Sequence, residues 1–151
     1  MKTILAPVDL SAAATRVADA ACDLAPLVGG RVVLFHVVQP PPVVLSEVYA
    51  VDAGQLDELV AAAESAAETR LQKLAERCRG AGVPVEVVKL PGDPVHHILE
   101  RSRQADFVVL GSHGHGAMYD LLVGSTTHGI LRRAACPVVI IPPARGAPAG
   151  S

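Results

Sequence analysis

Aromatic residues make up only 3% of this 151-residue chain, with two tyrosines, two phenylalanines and no tryptophan. Unpaired nucleic acid is held largely by stacking its bases on such rings, so that class of partner is disfavoured. A basic surplus is also missing, since 13 Lys and Arg face 15 Asp and Glu. The formal charge of −2 and pI near 6.3 leave no electrostatic footprint for a nucleic-acid backbone. No apolar run approaches the ~20 residues of a membrane span. Lys2–Pro7 is too short for a signal peptide and Asp9 follows it. The expectation is a cytoplasmic protein with no membrane partner. Cysteine is scarce and odd in number, at Cys22, Cys78 and Cys136. That spacing argues against a disulfide framework and for small apolar core residues in a reducing compartment, without a catalytic role.

Two familiar phosphate loops are absent as well. There is no Gly-x4-Gly-Lys-[Ser/Thr], and no Gly-x-Gly-x-x-Gly follows the first strand, so any phosphate site here lacks the P-loop lysine. What the chain has is 50% hydrophobic content against 19% charged, enough for one compact core. The expected organisation is one domain over 1–143 with a flexible small-residue tail at 144–151.

Strands alternate with helices along the chain, the pattern of a parallel sheet covered by helices. Thr3–Val8 is a strand ended by Asp9, and Ser11 is placed to cap the next helix. Ala14, Val17, Ala18, Ala21, Leu24, Ala25 and Val28 recur there at helical spacing, with Pro26 in the last turn and Gly29-Gly30 as the stop. Arg31–Val38 is apolar almost without a break, as a central strand should be. Residues 43–52 follow a proline run as a loop, a candidate flap over the sheet edge. A helix from Gln55 to Arg79 places Leu56, Leu59, Val60, Ala63, Ala67, Leu71, Leu74 and Cys78 on one stripe. Val83–Lys89 carries Pro84 and charges and predicts an edge strand. Asp93 and Pro94 are suited to start a helix. Asp106–Leu110 predicts a doubly buried strand, 127–135 a helix and Pro137–Ile141 the last strand.

Chemistry concentrates after Leu110. Gly111-Ser-His-Gly114 opens at a strand's carboxyl end, and nine residues later Gly124-Ser125-Thr126 leads into a helix. Glycines let a ligand approach the backbone with no Cβ in the way. The first amides of a helix lack partners and carry the positive end of its dipole, so an anion is favoured there. Ser125 and Thr126 add hydroxyl donors. Ligands of open parallel sheets bind beyond the strand carboxyl ends where the winding reverses. That rule brings Pro7, Val8 and Asp9 and the end of the second strand, Val37, to the same place. Asp9 is suited to accept from an adenine amino group or a ribose hydroxyl, or alternatively to cap the helix behind it.

Taken together, Ile4-Leu-Ala-Pro-Val-Asp-Leu-Ser11, Phe35-His-Val-Val38, Leu110-Gly-Ser-His-Gly-His-Gly116, Leu122-Val-Gly-Ser-Thr126 and Cys136-Pro-Val-Val-Ile-Ile-Pro142 resemble the universal stress protein family over essentially the whole chain. The complete Gly-x2-Gly-x9-Gly-Ser pattern resembles its ATP-binding branch. The resemblance implies an α/β fold, a five-stranded parallel sheet in the order 3-2-1-4-5 with helices on both faces. It also implies a homodimer paired through Val138–Ile141. The ligand it implies is ATP or AMP, with Mg2+ arriving on the nucleotide. Adenine and ribose would lie near Pro7, Val8, Asp9, Val37 and Leu110. The phosphates would lie on Gly111, Ser112, Gly114, His115, Gly124, Ser125 and Thr126. Leu10, where many relatives carry glycine, is a departure that narrows the mouth beside Asp9.

Histidines offer a competing chemistry. His96, His97, His113 and His115 are four imidazoles of the kind that hold zinc or copper. Their spacing supplies no cysteine partner and no acidic ligand, and the expectation is no metal site. His36 is expected to be satisfied within its strand, His97 to be packed, and His128 to face solvent or a dimer partner. Because the phosphate loop contains no Lys or Arg, the expectation is a regulatory nucleotide-binding module in stress response, with at most slow hydrolysis. The alternative is a nucleotide-free dimeric adaptor or chaperone-like protein.

Overall fold

A computed structural model describes residues 1–39, 53–112 and 123–144. The strands are β1 (Lys2–Pro7), β2 (Gly30–Val38), β3 (Val85–Pro91), β4 (Phe107–Gly111) and β5 (Val138–Ile141). Between them run the helices α1 (Ala14–Val28), α2 (Ala53–Gly80), α3 (Pro94–Ser102) and α4 (Ser125–Arg133). All five strands are parallel and lie in the order β3-β2-β1-β4-β5. From β1 the chain winds outward through β2 to β3, then returns to the other side of β1 for β4 and β5. The reversal falls between β1 and β4.

Side chains of a strand alternate between faces, and the central strands are apolar on both. Ile4, Ala6, Val32, Leu34 and Val109 join α1 and α2 in one buried cluster. Leu5, Val33, Phe35, Val37, Val108 and Leu110 join Ile98 of α3 and Ile130 of α4 in the other. α1 turns Ala14, Ala18, Ala21 and Ala25 inward, each at most 4% exposed, and these small residues let its axis lie close to the sheet. Gly29 ends it at φ 65, a left-handed cap whose N–H reaches Ala25 and Pro26 carbonyls.

Four sequence expectations need correction. Ser11 does not cap α1, which begins at Ala14 behind a turn closed by Ala14 N–H to Ser11 C=O at 3.0 Å. The apolar stripe of α2 is buried only in its C-terminal half, at Leu71, Leu74, Ala75 and Cys78, whereas Leu56 and Leu59 are exposed. β3 starts at Val85, because Val83 N–H is spent on Cys78 C=O and Pro84 has no N–H to give. Finally, Cys22 and Cys78 are joined in a disulfide, with Cα atoms 5.5 Å apart and a sequence separation of 56. Their distance along the chain says nothing of their meeting, which follows from α1 and α2 packing on the same face. Beside the disulfide, Arg77 grips Asp19 with two bonds, Nε to Oδ1 at 3.1 Å and Nη2 to Oδ2 at 2.7 Å.

β3 is an edge, as Pro84 and its charged positions predict, and β5 is the other, with all four residues only half-buried. The proposed flap at 43–52 lies outside the described residues, as does the tail from 145. Among the described residues no helix is long and apolar enough to cross a membrane.

Candidate functional site

The winding reversal brings two carboxyl ends together, those of β1 and β4. At the end of β4, Ser112 N–H bonds Ile141 C=O at 2.9 Å, which extends the β4–β5 pairing by one residue. Gly124 N–H then donates to Ser112 C=O at 2.6 Å. Thr127, only 5% exposed, donates its hydroxyl to Gly111 C=O at 2.7 Å. These two bonds moor the start of α4 to the end of β4, across a ten-residue segment (113–122) that is not described.

Gly124 occupies the N-cap in extended conformation, φ −71 and ψ 166, and offers no side-chain oxygen to the helix. Its glycine character therefore serves for lack of a side chain and not for a left-handed turn. The bond from His128 N–H to Gly124 C=O, at 2.9 Å, is the first of the helix. The amides of Ser125, Thr126 and Thr127 precede it, at the positive end of the dipole. The first turn has no acidic residue to occupy them. Ser125 and Thr126 are exposed beside them, while Arg132 and Arg133 lie in the last turn, ~10 Å down the helix axis.

The β1 side is built from backbone. Val8 N–H bonds Phe35 C=O at 2.8 Å, and His36 donates Nδ1–H to Val8 C=O at 2.8 Å. His36 is thus satisfied within the sheet, as expected, and fixes the level at which β1 ends. Asp9 is exposed, and its Oδ1 accepts from Ser11 N–H at 3.0 Å, closing the turn that precedes α1. Leu10 has φ 63, an uncommon conformation for a branched residue, and its side chain is buried. A glycine at this position would meet this φ without strain. Ser11 Oγ is buried with no hydrogen-bond partner.

With this geometry the comparisons with known proteins agree. The model of the Universal stress protein family matches residues 1–142. The chain belongs to the universal stress protein family. The universal stress protein in the QAH/OAS sulfhydrylase 3′ region of Thermus aquaticus is 33% identical over 143 residues, covering 93% of this chain and 98% of that one. A universal stress protein solved in complex with cAMP superposes with a TM-score of 0.68 at 20% identity, over 93% of this chain and 95% of that one. A family protein from Arabidopsis thaliana solved with AMP bound gives 0.68 at 16% identity, over 96% and 94%. At these identities the two structures speak for the fold, which is the sheet order 3-2-1-4-5 that the resemblance implied.

In this family member Gly111, Ser112, Gly124, Ser125 and Thr126 come together at one helix start, and Gly114 and His115 lie outside the described residues. Pro7 is half-buried beside Asp9. Val8, Val37 and Leu110 are 5%, 8% and 4% exposed. The contact of Thr127 with Gly111 and the unpartnered hydroxyl of Ser11 are not legible in the sequence. Thr127 was hidden as one more helix residue, although a hydroxyl following Gly-Ser-Thr can fold back to the strand. Ser11 was assigned to a helix cap. His128 is exposed. Near His96 and His97 the structure supplies the acidic ligand that spacing was thought to lack: Glu100 stands one turn after His96, with Nε2 and Oε2 3.8 Å apart.

Proposed function

We propose that the protein binds an adenine nucleotide across the carboxyl ends of β1, β2 and β4, ATP with its Mg2+ or AMP in its place. The observation that carries this reading is the bond from Gly124 N–H to Ser112 C=O. It sets two glycine-flanked segments side by side at an uncapped helix start, on the reversal of the sheet. The nucleotides named for the two solved relatives support the adenine part. The phosphates take the amides of Ser125, Thr126 and Thr127, with Gly111 and Gly124 allowing close approach. Gly114 and His115, outside the described residues, are assigned to the phosphates on the resemblance alone. The base and ribose lie toward Pro7, Val8, Asp9, Val37 and the backbone of Leu110.

Binding outweighs turnover in this reading. Among the described residues of the phosphate end there is no Lys or Arg to offset charge that develops in phosphoryl transfer. Mg2+ arrives on the nucleotide and keeps phosphates and water as its main ligands. The protein acts as a nucleotide-responsive regulatory module of the stress response. Its half-buried β5 edge, Val138–Ile141, pairs with the same strand of a second copy and is covered by it.

Calorimetric titration of nucleotide-stripped protein with Mg-ATP tests the reading, with Gly124→Val alongside. Saturable binding that the variant loses is the expected result. A folded wild-type dimer that takes up no adenine nucleotide overturns it and leaves a dimeric adaptor in its place.

A further inference from the structure

We propose that His96, His97 and Glu100 form a binding site for a borderline divalent transition-metal ion, Zn2+, Ni2+ or Cu2+. One donor atom from each of the three lies within 4.8 Å of the others. None of the three residues is among those assigned to the nucleotide, which lies across the carboxyl ends of β1, β2 and β4 and the start of α4.

The sequence places them there through the start of α3. Pro94 occupies the first turn, and Asp93 caps the helix by accepting from His96 N–H at 2.9 Å. That fixes His96 and His97 within the first turn or so, and helical spacing puts Glu100 on the same face as His96. His97 is the anchored member. Its ring lies over Gly92, where a Cβ would meet Nε2 at 2.6 Å, so the ring occupies the room a side chain at 92 would need. His96 and Glu100 are the adjustable members, with side chains 71% and 67% exposed. The two imidazole rings stand edge to face, centroids 5.3 Å apart.

Ligand bonds of ~2.0–2.2 Å in a tetrahedron separate donor atoms by ~3.4 Å. The His96–Glu100 pair at 3.8 Å is already close to that. Rotation of two exposed side chains toward an anchored third closes the remainder. The positive end of the α3 dipole opposes a cation, and the carboxylates of Asp93 and Glu100 offset it. Two imidazoles with one carboxylate favour Zn2+, Ni2+ and Cu2+ over Mg2+ and Ca2+. Three protein ligands leave the remaining positions to water, so the ion is exchangeable and open to an outside ligand.

The test uses the full chain without an affinity tag, stripped of metal and titrated with Zn2+ in a calorimeter. Co2+ is added separately for its visible spectrum. One Zn2+ per chain is expected, with His96→Ala and Glu100→Gln each weakening it by more than about tenfold. Both variants should keep wild-type circular dichroism and unchanged Mg-ATP titration, because both positions are exposed. The double variant His113→Ala/His115→Ala should bind Zn2+ as the wild type does. Zn2+ affinity indifferent to His96→Ala and Glu100→Gln overturns the proposal. So does loss of binding in the His113/His115 double variant, or a thiolate charge-transfer band that places Co2+ on Cys136.

Discussion

On one face of the sheet, α1 and the C-terminal half of α2 bury alanines, leucines and a disulfide, and Arg77 with Asp19 clamps them from outside. On the other face, two nine-residue helices carry the uncapped amides of α4 and the histidines of α3. The first face has little chemistry and a covalent tie. The second has the chemistry and no covalent tie among the described residues, being held by the packing of Ile98 and Ile130 and by hydrogen bonds, Thr127 to Gly111 and Ser102 to its neighbours. The difference teaches where this fold keeps its rigidity: a tied face supports the sheet, and the sheet presents the ends of β1 and β4 at a fixed level to a face that is free to specialise.

Breaking the covalent tie should give the largest effect. Cys22→Ala, or reduction of the wild type, reopens a loop of 56 residues in the unfolded chain and should cost about 4 kcal/mol in urea unfolding. Mg-ATP affinity should not change, and an equal loss of both would erase the contrast between faces. On the other face, Ser102 Oγ donates to Leu99 C=O at 2.7 Å and accepts Ala135 N–H at 3.2 Å, joining the end of α3 to the exit of α4. Ser102→Ala strands that amide and should cost about 1–3 kcal/mol, with at most a slightly weaker nucleotide titration, because the exit of α4 loses its tie to α3 while its start stays moored to β4.

Leu10 sharpens the comparison at the junction of the two faces. Its side chain is buried on the α1 side while its φ of 63 belongs to the turn that carries Asp9. Leu10→Ala removes packing and keeps the strain, whereas Leu10→Gly removes both. The glycine variant should therefore be at least as stable as the alanine one, by up to about 1 kcal/mol, in paired denaturation curves. Arg77→Ala should cost little, since both partners are about half exposed and the pair is screened by solvent. Added salt should shrink the difference between variant and wild type.

The smallest expected effect is on pH. Asp106 accepts Thr3 N–H at 2.7 Å, and with Lys2 nearby this holds its carboxyl below the usual carboxylate range. The depressed value means that its contribution is present above the unfolded value of ~3.9 and is lost as pH falls through the lowered folded one. Asp106→Asn should flatten the acid side of a Tm-against-pH profile and leave the neutral region nearly unmoved. An unchanged acid side would show the Thr3 bond to be indifferent to charge.

Much of the fold was legible because strands buried on both faces leave unbroken apolar runs, as at Arg31–Val38, and because Gly29, Asp93 and Pro94 act where they stand. The order of the strands came from resemblance and not from any run of residues. Contacts between distant segments were illegible: Cys22 with Cys78, and Thr127 with Gly111. Periodicity marked Leu56 and Leu59 as part of a core stripe, but periodicity gives a helix its apolar side without saying how far the neighbouring layer extends. At the candidate site the glycines were readable by spacing, whereas the strain at Leu10 and the placement of Glu100 beside His96 needed coordinates.

The central claim is that an adenine nucleotide sits with its phosphates at the start of α4, and amide-resolved NMR during Mg-ATP titration tests it most directly. The largest shifts are predicted at Ser112 and at Gly124 through Thr127, with Leu71, Ala75 and Cys78 on the tied face unmoved. Saturable shifts that spare Gly124–Thr127, or that centre on the α1–α2 face, would contradict it.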